Sequence, residues 1–202
     1  MVSSGIPAYA KTWNIADGDI TVKGASDESG NYNNVKQGDK DFEKDTDTVI
    51  TSKSDKSEES KEHTVTIDTS EGNVDVTFDD LKIDVSGKGE AAVRVEGGGD
   101  VTIELDGDNE LKSGGYHAGL EKNDERSEDD EIISGKLTIK DDNDTKGSLT
   151  AEGGDGGGAG IGGGAERTGS NITIRGGTIE AVGGNNAAGI GDGAGRASET
   201  DP

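Results

Sequence analysis

Three short acidic runs recur along this chain: Asp79-Asp80, Asp106-Gly107-Asp108-Asn109 and Asp141-Asp142-Asn143-Asp144. Each follows an apolar-Thr-apolar triplet: Val76-Thr77-Phe78, Val101-Thr102-Ile103 and Leu137-Thr138-Ile139. If the triplets stack, the acids behind them stack too. Like charges brought together in this way oppose folding unless something neutralises them. Calcium draws its oxygen ligands from Asp, Asn and backbone carbonyls, and this composition suits it. The candidate metal ligands are therefore Asp80, Asp106, Asp108, Asp142 and Asp144, with calcium the expected ion. The plain alternative is three solvated turns built from residues that favour turns.

Sugar binding is the second chemistry to weigh. It needs exposed aromatic rings, and the chain has one Trp, three Tyr and two Phe. Tyr116, beside His117 in a Gly-rich segment, is the expected sugar-facing ring. Trp13 is the second candidate, with capping of the N-terminal end of the core as its competing role. Tyr32 is a third exposed-ring candidate. Catalysis finds less support. Arg94, Lys140 and Arg175 project from strands and could serve as a base, but outward charges that balance acids explain them more simply. His63 and His117 stand single in the sequence. No Ser/His/Asp or paired-carboxylate constellation is visible, so no catalytic residue is assigned.

These residues have to be positioned by something, and the sequence repeats itself. A fourth triplet, Ile172-Thr173-Ile174, joins the first three, at spacings of 25, 36 and 35 residues. Each triplet leads to a second strand-like unit: Leu81-Lys82-Ile83, Asn109-Glu110-Leu111, Ser148-Leu149-Thr150 and Thr178-Ile179-Glu180. Each then reaches a third: Ala92-Val93, Gly119-Leu120, Gly160-Ile161 and Gly189-Ile190. About three short strands per turn in register is the pattern of an all-β parallel β-helix, a solenoid in which one rung alone cannot bury its apolar face. Val76, Phe78, Val101, Ile103, Leu137, Ile139, Ile172 and Ile174 should line one inner column. Leu120, Ile161 and Ile190 should line another. Asp79, Glu104, Lys140 and Arg175 should form an outer column in which Glu104 neighbours Lys140. The recurring AGI and AGL phrases place an aliphatic in the core and small residues at a tight corner, where glycine permits positive φ and close backbone approach. The glycine spacing is not read as a nucleotide loop, because no βαβ pattern accompanies it. The column of single Thr residues does not form the flat double row that ice binding would want. Before residue 74 the segments TWNI, DITV, TVIT and HTVTID suggest two or three further rungs. Ser52–His63 and Glu121–Glu131 read as solvated charged loops.

Composition sets the outer bounds. The chain has 202 residues, 35 of them Gly, and a formal charge of −23. That charge repels nucleic acid and anionic membranes. No apolar run approaches the roughly 18 residues that a spanning helix needs, so membrane insertion is not expected. There is no Cys. Ala8-Tyr9-Ala10 has the small-x-small form of a signal-peptidase site, so residues 1–10 are read as a signal-peptide remnant, against the alternative of an ordinary coil. Residues 11–202 are then a single β-helix domain. No polar cap follows the last rung, which suggests either a chain that continues or end-to-end self-association.

The series VDVTFDDLKIDVSGKGEAAVRVEGGGDVTIELDGDNELKSG, GSLTAEGG, GAGIGGG, ITIRGGTIEA and AAGIGDG resembles the secreted carbohydrate-binding-domain proteins of anaerobic Gram-positive bacteria, which look like polysaccharide lyases. The likeness covers about residues 64–195. It implies a right-handed β-helix, calcium binding and affinity for plant-type polysaccharide, and it carries over no catalytic residue. The expected function is a secreted or cell-surface, non-catalytic module, binding a plant-type or acidic glycan with help from calcium. The alternatives are a lyase acting on uronate polymers and a structural spacer within a surface protein.

Overall fold

A computed structural model describes residues 10–28, 30–52, 59–126, 129 and 131–195. The expected leader remnant lies outside the described residues except for Ala10, and so does the segment 196–202. The described chain is mainly β. Its strands are β1 (Ala10–Asn14), β2 (Ile20–Asp27), β3 (Gly30–Gln37), β4 (Glu43–Asp45), β5 (Asp47–Thr51), β6 (Val65–Asp68), β7 (Val74–Asp79), β8 (Lys82–Asp84), β9 (Val93–Glu96) and β10 (Val101–Lys112). There follow β11 (Leu120–Lys122), β12 (Glu125–Arg126), β13 (Ile132–Ile133), β14 (Leu137–Lys140), β15 (Gly147–Glu152), β16 (Ile161–Gly162), β17 (Ile172–Ile174), β18 (Thr178–Val182) and β19 (Ile190–Gly191). Among the described residues there is no α-helix, only a 3-10 turn at Ile15–Asp17, whose Ala16 amide donates to the Asn14 side chain at 3.0 Å.

Apart from β12 and β13, which pair antiparallel with each other, the strands form two large, largely parallel sheets. The first runs β1-β5-β7-β10-β14-β17, with β8 and β15 joined to β10 and with β18 joined to β15. The second runs β19-β16-β11-β9-β6-β2-β3-β4. From β14 to β19 the chain visits the two sheets in a repeating order: β14, β15 and β16, then β17, β18 and β19. Side chains alternate along a strand, so every second residue meets the core. Val74, Val76 and Phe78 are buried, as are Val101, Ile103 and Leu105, then Leu137 and Ile139. From the second and third units come Ile83, Leu111, Leu149, Val93, Leu120 and Ile161, all buried.

Most of the expected register holds, with two slips, one of them between the second units, where Asn109 pairs with Leu149 rather than with Ser148. Leu137 pairs with Ile172, Val101 with Leu137, and Glu104 with Lys140. The third units align Val93, Leu120, Ile161 and Ile190. The first triplet sits two residues out of the expected phase: Ile103 pairs with Val76 and Val101 with Val74. A shift of two leaves every apolar residue facing inward, whereas a shift of one would turn the whole set outward. The inward column survives, but the outer one changes. Asp79 lies opposite Asp106, and Glu104 lies opposite Thr77. The expected first and second units of the Val101 repeat are also one continuous strand, β10, which meets β7 and β14 with its first half and β8 and β15 with its second.

Both ends depart from expectation. At the N-terminal end β1, β5, β2 and β6 do pair in parallel, but β2 turns back into β3 through an antiparallel hairpin, and β4 extends it. Two antiparallel strands need only a tight turn, which Asp27 and Gly30 flank. At the other end Ile172 is only partly buried, and Ile174 and Ile190 are exposed, together with Val182. Among the described residues nothing covers β17, β18 and β19 on their outer side, so their inward face closes only from one direction.

The AGI glycine answers to space rather than to φ. A Cβ on Gly160 would lie 2.6 Å from the Val182 nitrogen and 2.7 Å from the Gly189 oxygen, closer than real side chains come. Positive φ belongs instead to Gly162, at 133°. These positions set up a direct comparison. Ile161→Asp should unfold the array or lower its stability by several kcal/mol, because it buries an unpaired carboxylate. Ile190→Asp, on the same column but 45% exposed, should melt close to the parent. Urea unfolding of both variants checks the assignment, and equal losses would overturn it.

Candidate functional site

Parallel pairing of β9 with β11 sets Arg94 beside Glu121 while Val93 and Leu120 enter the core. Arg94 Nε lies 3.1 Å from Glu121 Oε1, but its N–H is not aimed at that oxygen, so the contact is ionic and the buried Nε makes no hydrogen bond. Glu121 is itself buried, with its side chain 3% exposed. Its Oε2 accepts the Ala118 amide at 3.2 Å and holds His117 Nδ1 at 2.8 Å. Arg94 Nη2 also approaches His117 Nδ1, at 3.2 Å. A nitrogen that donates to Glu121 cannot accept from Arg94. The nearer carboxylate makes Nδ1 the donor to Glu121.

Glycine makes room for this cluster at two points. A Cβ on Gly164 would meet Glu121 Oε2 at 2.8 Å. A Cβ on Gly156 would sit 2.4 Å from Tyr116 Cδ1, so the tyrosine ring lies directly against the Gly156 backbone. The turn that carries Tyr116 is pinned by the Ala165 amide, which donates to the Tyr116 carbonyl at 2.7 Å, and by the Gly156 amide, which donates to the Gly115 carbonyl at 2.8 Å. The ring itself stays outside, 69% exposed. Arg94, His117, Glu121 and Tyr116 line a cleft of about 660 Å³, with Glu96, Asp124, Glu125 and Arg167 along its edges.

Behind the cleft lies a buried pair. Lys122 Nζ donates to Ser134 Oγ at 2.7 Å and to the Ser170 carbonyl at 3.1 Å, and it stands 3.6 Å from Asp124 Oδ1. Ser134 Oγ donates to Asp124 Oδ1 at 2.6 Å. Burial pushes the Lys122 ammonium below its ordinary pKa, and Asp124 offsets that only in part. This segment was expected to be a solvated loop. Instead Glu121, Lys122 and Asp124 are buried, because β11 places them under the loop that carries Gly164 and Ser170.

The acidic corner forms, but not as a cage. Asp80 Oδ1 accepts the Asp108 amide at 2.8 Å, and Asp106 Oδ1 accepts the Asn143 side-chain amide at 2.7 Å. Asp108 Oδ1 accepts the Ser148 hydroxyl at 2.8 Å, and Asp142 Oδ1 takes Lys140 at 2.7 Å. Asp144 is exposed. Among the described residues no group of three or more Asp, Glu or His is placed to hold a metal ion. As arranged, one oxygen of each of Asp80, Asp106, Asp108 and Asp142 accepts from a neighbouring donor rather than turning to a common point.

The remaining candidates separate cleanly. Trp13 is 2% exposed and its indole N–H donates to Asp45 Oδ2 at 2.7 Å. Its ring belongs to the core and offers no stacking surface. Tyr32 carries Lys44 Nζ over its ring at 3.9 Å. Lys140 bridges Glu104 at 2.9 Å and Asp142 at 2.7 Å. Hydrogen bonds to Asp142 and Glu104 raise its pKa, which holds it protonated and unsuited to act as a base. His63 is not unpartnered: its Nδ1 lies 3.3 Å from Asp19 Oδ1. A second groove of about 730 Å³ crosses the Thr-bearing face of the first sheet, lined by Thr48, Thr77, Thr102 and Thr138, but no aromatic residue lines it.

Three carboxylates give the fold an acid limit. Burial works against ionised Asp68 and Asp124, but it is outweighed by hydrogen bonds: from Ser70 and Lys23 for Asp68, and from Ser134 and Ser170, with the charge of Lys122, for Asp124. Ser86 holds Asp84 down in the same way. All three folded pKa values lie below the ordinary 3.8. The unfolded chain therefore binds more protons in this range, so the stabilisation is complete above about pH 4 and is lost as pH falls through the lowered values. Thermal melts should show a steep loss below about pH 4, and Asp124→Asn should flatten it. An unchanged acid limb would rule out the buried pair as its source.

No family model matches this chain, nor does any curated protein or solved structure, so the cleft has to be read from its own chemistry.

Proposed function

We propose that the protein is a secreted or cell-surface, non-catalytic polysaccharide-binding module, and that the glycan lies in the cleft at Tyr116. One observation carries this reading: an aromatic ring held 69% exposed against a glycine backbone, at the edge of a polar cleft. A large aromatic normally hides from water, and one braced outward gives the apolar face of a sugar ring something to stack on. Around it Arg167, Glu96 and Glu125 offer donors and acceptors for hydroxyls.

The scaffold in this proposal is a right-handed parallel β-helix with three short strands per rung. Its support is the parallel pairing of successive units and their alternation between the two sheets. End-to-end self-association is part of the same proposal, supported by the exposed aliphatics Ile174, Val182 and Ile190 on the open edge.

Calcium enters as a stabilising ion of the acidic corner. To chelate it, Asp106, Asp108 and Asp142 would have to release Asn143, Ser148 and Lys140. A ligand that binds only the folded state adds about 2.7 kcal/mol at a hundredfold excess over Kd. Calcium should therefore raise the melting temperature more than sodium at matched ionic strength, and Asp106→Ala with Asp108→Ala should remove the difference. Equal shifts from the two ions would leave only screening of the surface charge.

The binding reading is tested by a glycan array and by Tyr116→Ala. That variant should lose glycan binding tenfold or more, in line with the ~1.4 kcal/mol that a stacked ring contributes, while melting like the parent. Trp13→Ala should do the reverse, destabilising the fold by about 3–5 kcal/mol. If Tyr116→Ala binds glycan as the parent does, the cleft is not the site.

A further inference from the structure

The cleft has a charge balance of its own, and it bears on which glycans fit. Resting on the binding reading above, we propose that the cleft takes a neutral glycan and selects against uronate polymers. Six charged side chains line it: Arg94 and Arg167 against Glu96, Glu121, Asp124 and Glu125. Arg94 is committed to Glu121 at 3.1 Å and lies 3.8 Å from Glu96, and Asp124 is matched by buried Lys122. What faces a ligand is then Arg167 with two carboxylates, Glu96 and Glu125. A uronate brings one more negative charge per sugar to a wall that is already negative, on a chain whose formal charge is −23. Repulsion acts at close range in the cleft and at longer range from the whole surface.

A neutral glycan meets none of this repulsion and uses the same groups well. Sugar hydroxyls donate to carboxylates and accept from guanidinium N–H groups, and bonds to charged partners are the stronger kind. Adjacent hydroxyls suit the paired oxygens of Glu96 and Glu125 and the fork of Arg167. Tyr116 supplies the apolar face. Three lysines elsewhere on the surface are already paired with carboxylates: Lys140 with Glu104 and Asp142, Lys23 with Asp68, and Lys11 with Glu43.

The test is calorimetric titration of the full chain with cello-, manno- and galacto-oligosaccharides, each beside its C6-oxidised uronate counterpart, with chelator present to prevent calcium bridging. At about 0.1 M salt the Debye length is near 10 Å, so contacts within the cleft remain unscreened. At least one neutral oligosaccharide should bind, and its oxidised form should bind tenfold or more weakly. Glu96→Gln combined with Glu125→Gln should restore part of the lost affinity for the oxidised form, which a purely steric loss of the C6 hydroxyl would not allow. Both positions are exposed, and a melt equal to the parent confirms that the double variant is folded. An oxidised oligosaccharide that binds as tightly as its neutral parent, or a double variant that leaves the difference unchanged, overturns the charge selection and leaves the glycan site standing. If no oligosaccharide binds at all, the glycan reading falls and this inference falls with it.

Discussion

Parallel backbone pairing between units far apart in sequence is the constraint on which the rest of this structure depends. β10 lies between β7 and β14, and β11 between β9 and β16, each bonded on both sides. Such pairs cannot be closed by a tight turn and must be reached by a long connection. The connections here are further strands and glycine turns, so one repeat supplies both sheets. Burial follows from that arrangement. An aliphatic on one strand is covered by aliphatics on the strands above and below, and Ile103, Ile139 and Leu120 reach complete burial because each has neighbours on both sides. Where the neighbours stop, at β17 to β19, the same residue types are left exposed.

The high glycine content serves close packing of backbone against backbone. At Gly160 and Gly164 a methyl group would strike a neighbouring strand or the carboxylate it shelters. The same economy creates the cleft. Gly156 lets the Tyr116 ring lie on bare backbone, and Gly164 leaves space for Glu121 to be buried beside Arg94 and His117. Glycine in this region therefore has two roles that share one cause, the absence of a side chain where two chains approach.

The acidity is handled locally rather than by a single ion site. Asp80, Asp106, Asp108 and Asp142 each find a donor from a backbone amide, an asparagine, a serine or a lysine. Cross-strand pairs such as Glu104 with Lys140 and Glu110 with Lys82 place opposite charges at equal register. Each such surface pair contributes at most about 1 kcal/mol. Together they let a chain of charge −23 stack its strands without gathering its carboxylates at one point.

Alternation of Val, Ile and Leu with Thr was enough by itself to determine the strands of the repeating units, their inward faces and most of their pairing, because a side chain's face depends only on odd or even position. Val101 over Leu137 and Leu120 over Ile161 follow from spacing alone. Local pattern could not separate registers that differ by two, so the pairing of Val76 with Ile103 was decided by the three-dimensional fit of β7 against β10. Nor could it show that β2 folds back on β3, since a hairpin strand and a parallel strand carry the same alternation. At the site, Tyr116 was legible as a rare aromatic among glycines. Its partners were not. Glu121, Lys122 and Asp124 sit in a run of charges that reads as solvated loop, and His117 reads as solitary. The stacking of Val93 on Leu120 followed from spacing, but only the tertiary structure sets Arg94 against Glu121 and lowers the Gly164 loop over them, turning an apparent surface run into a buried, paired wall. Burial of a charge depends on what packs against it from elsewhere in the chain, and that information is not local.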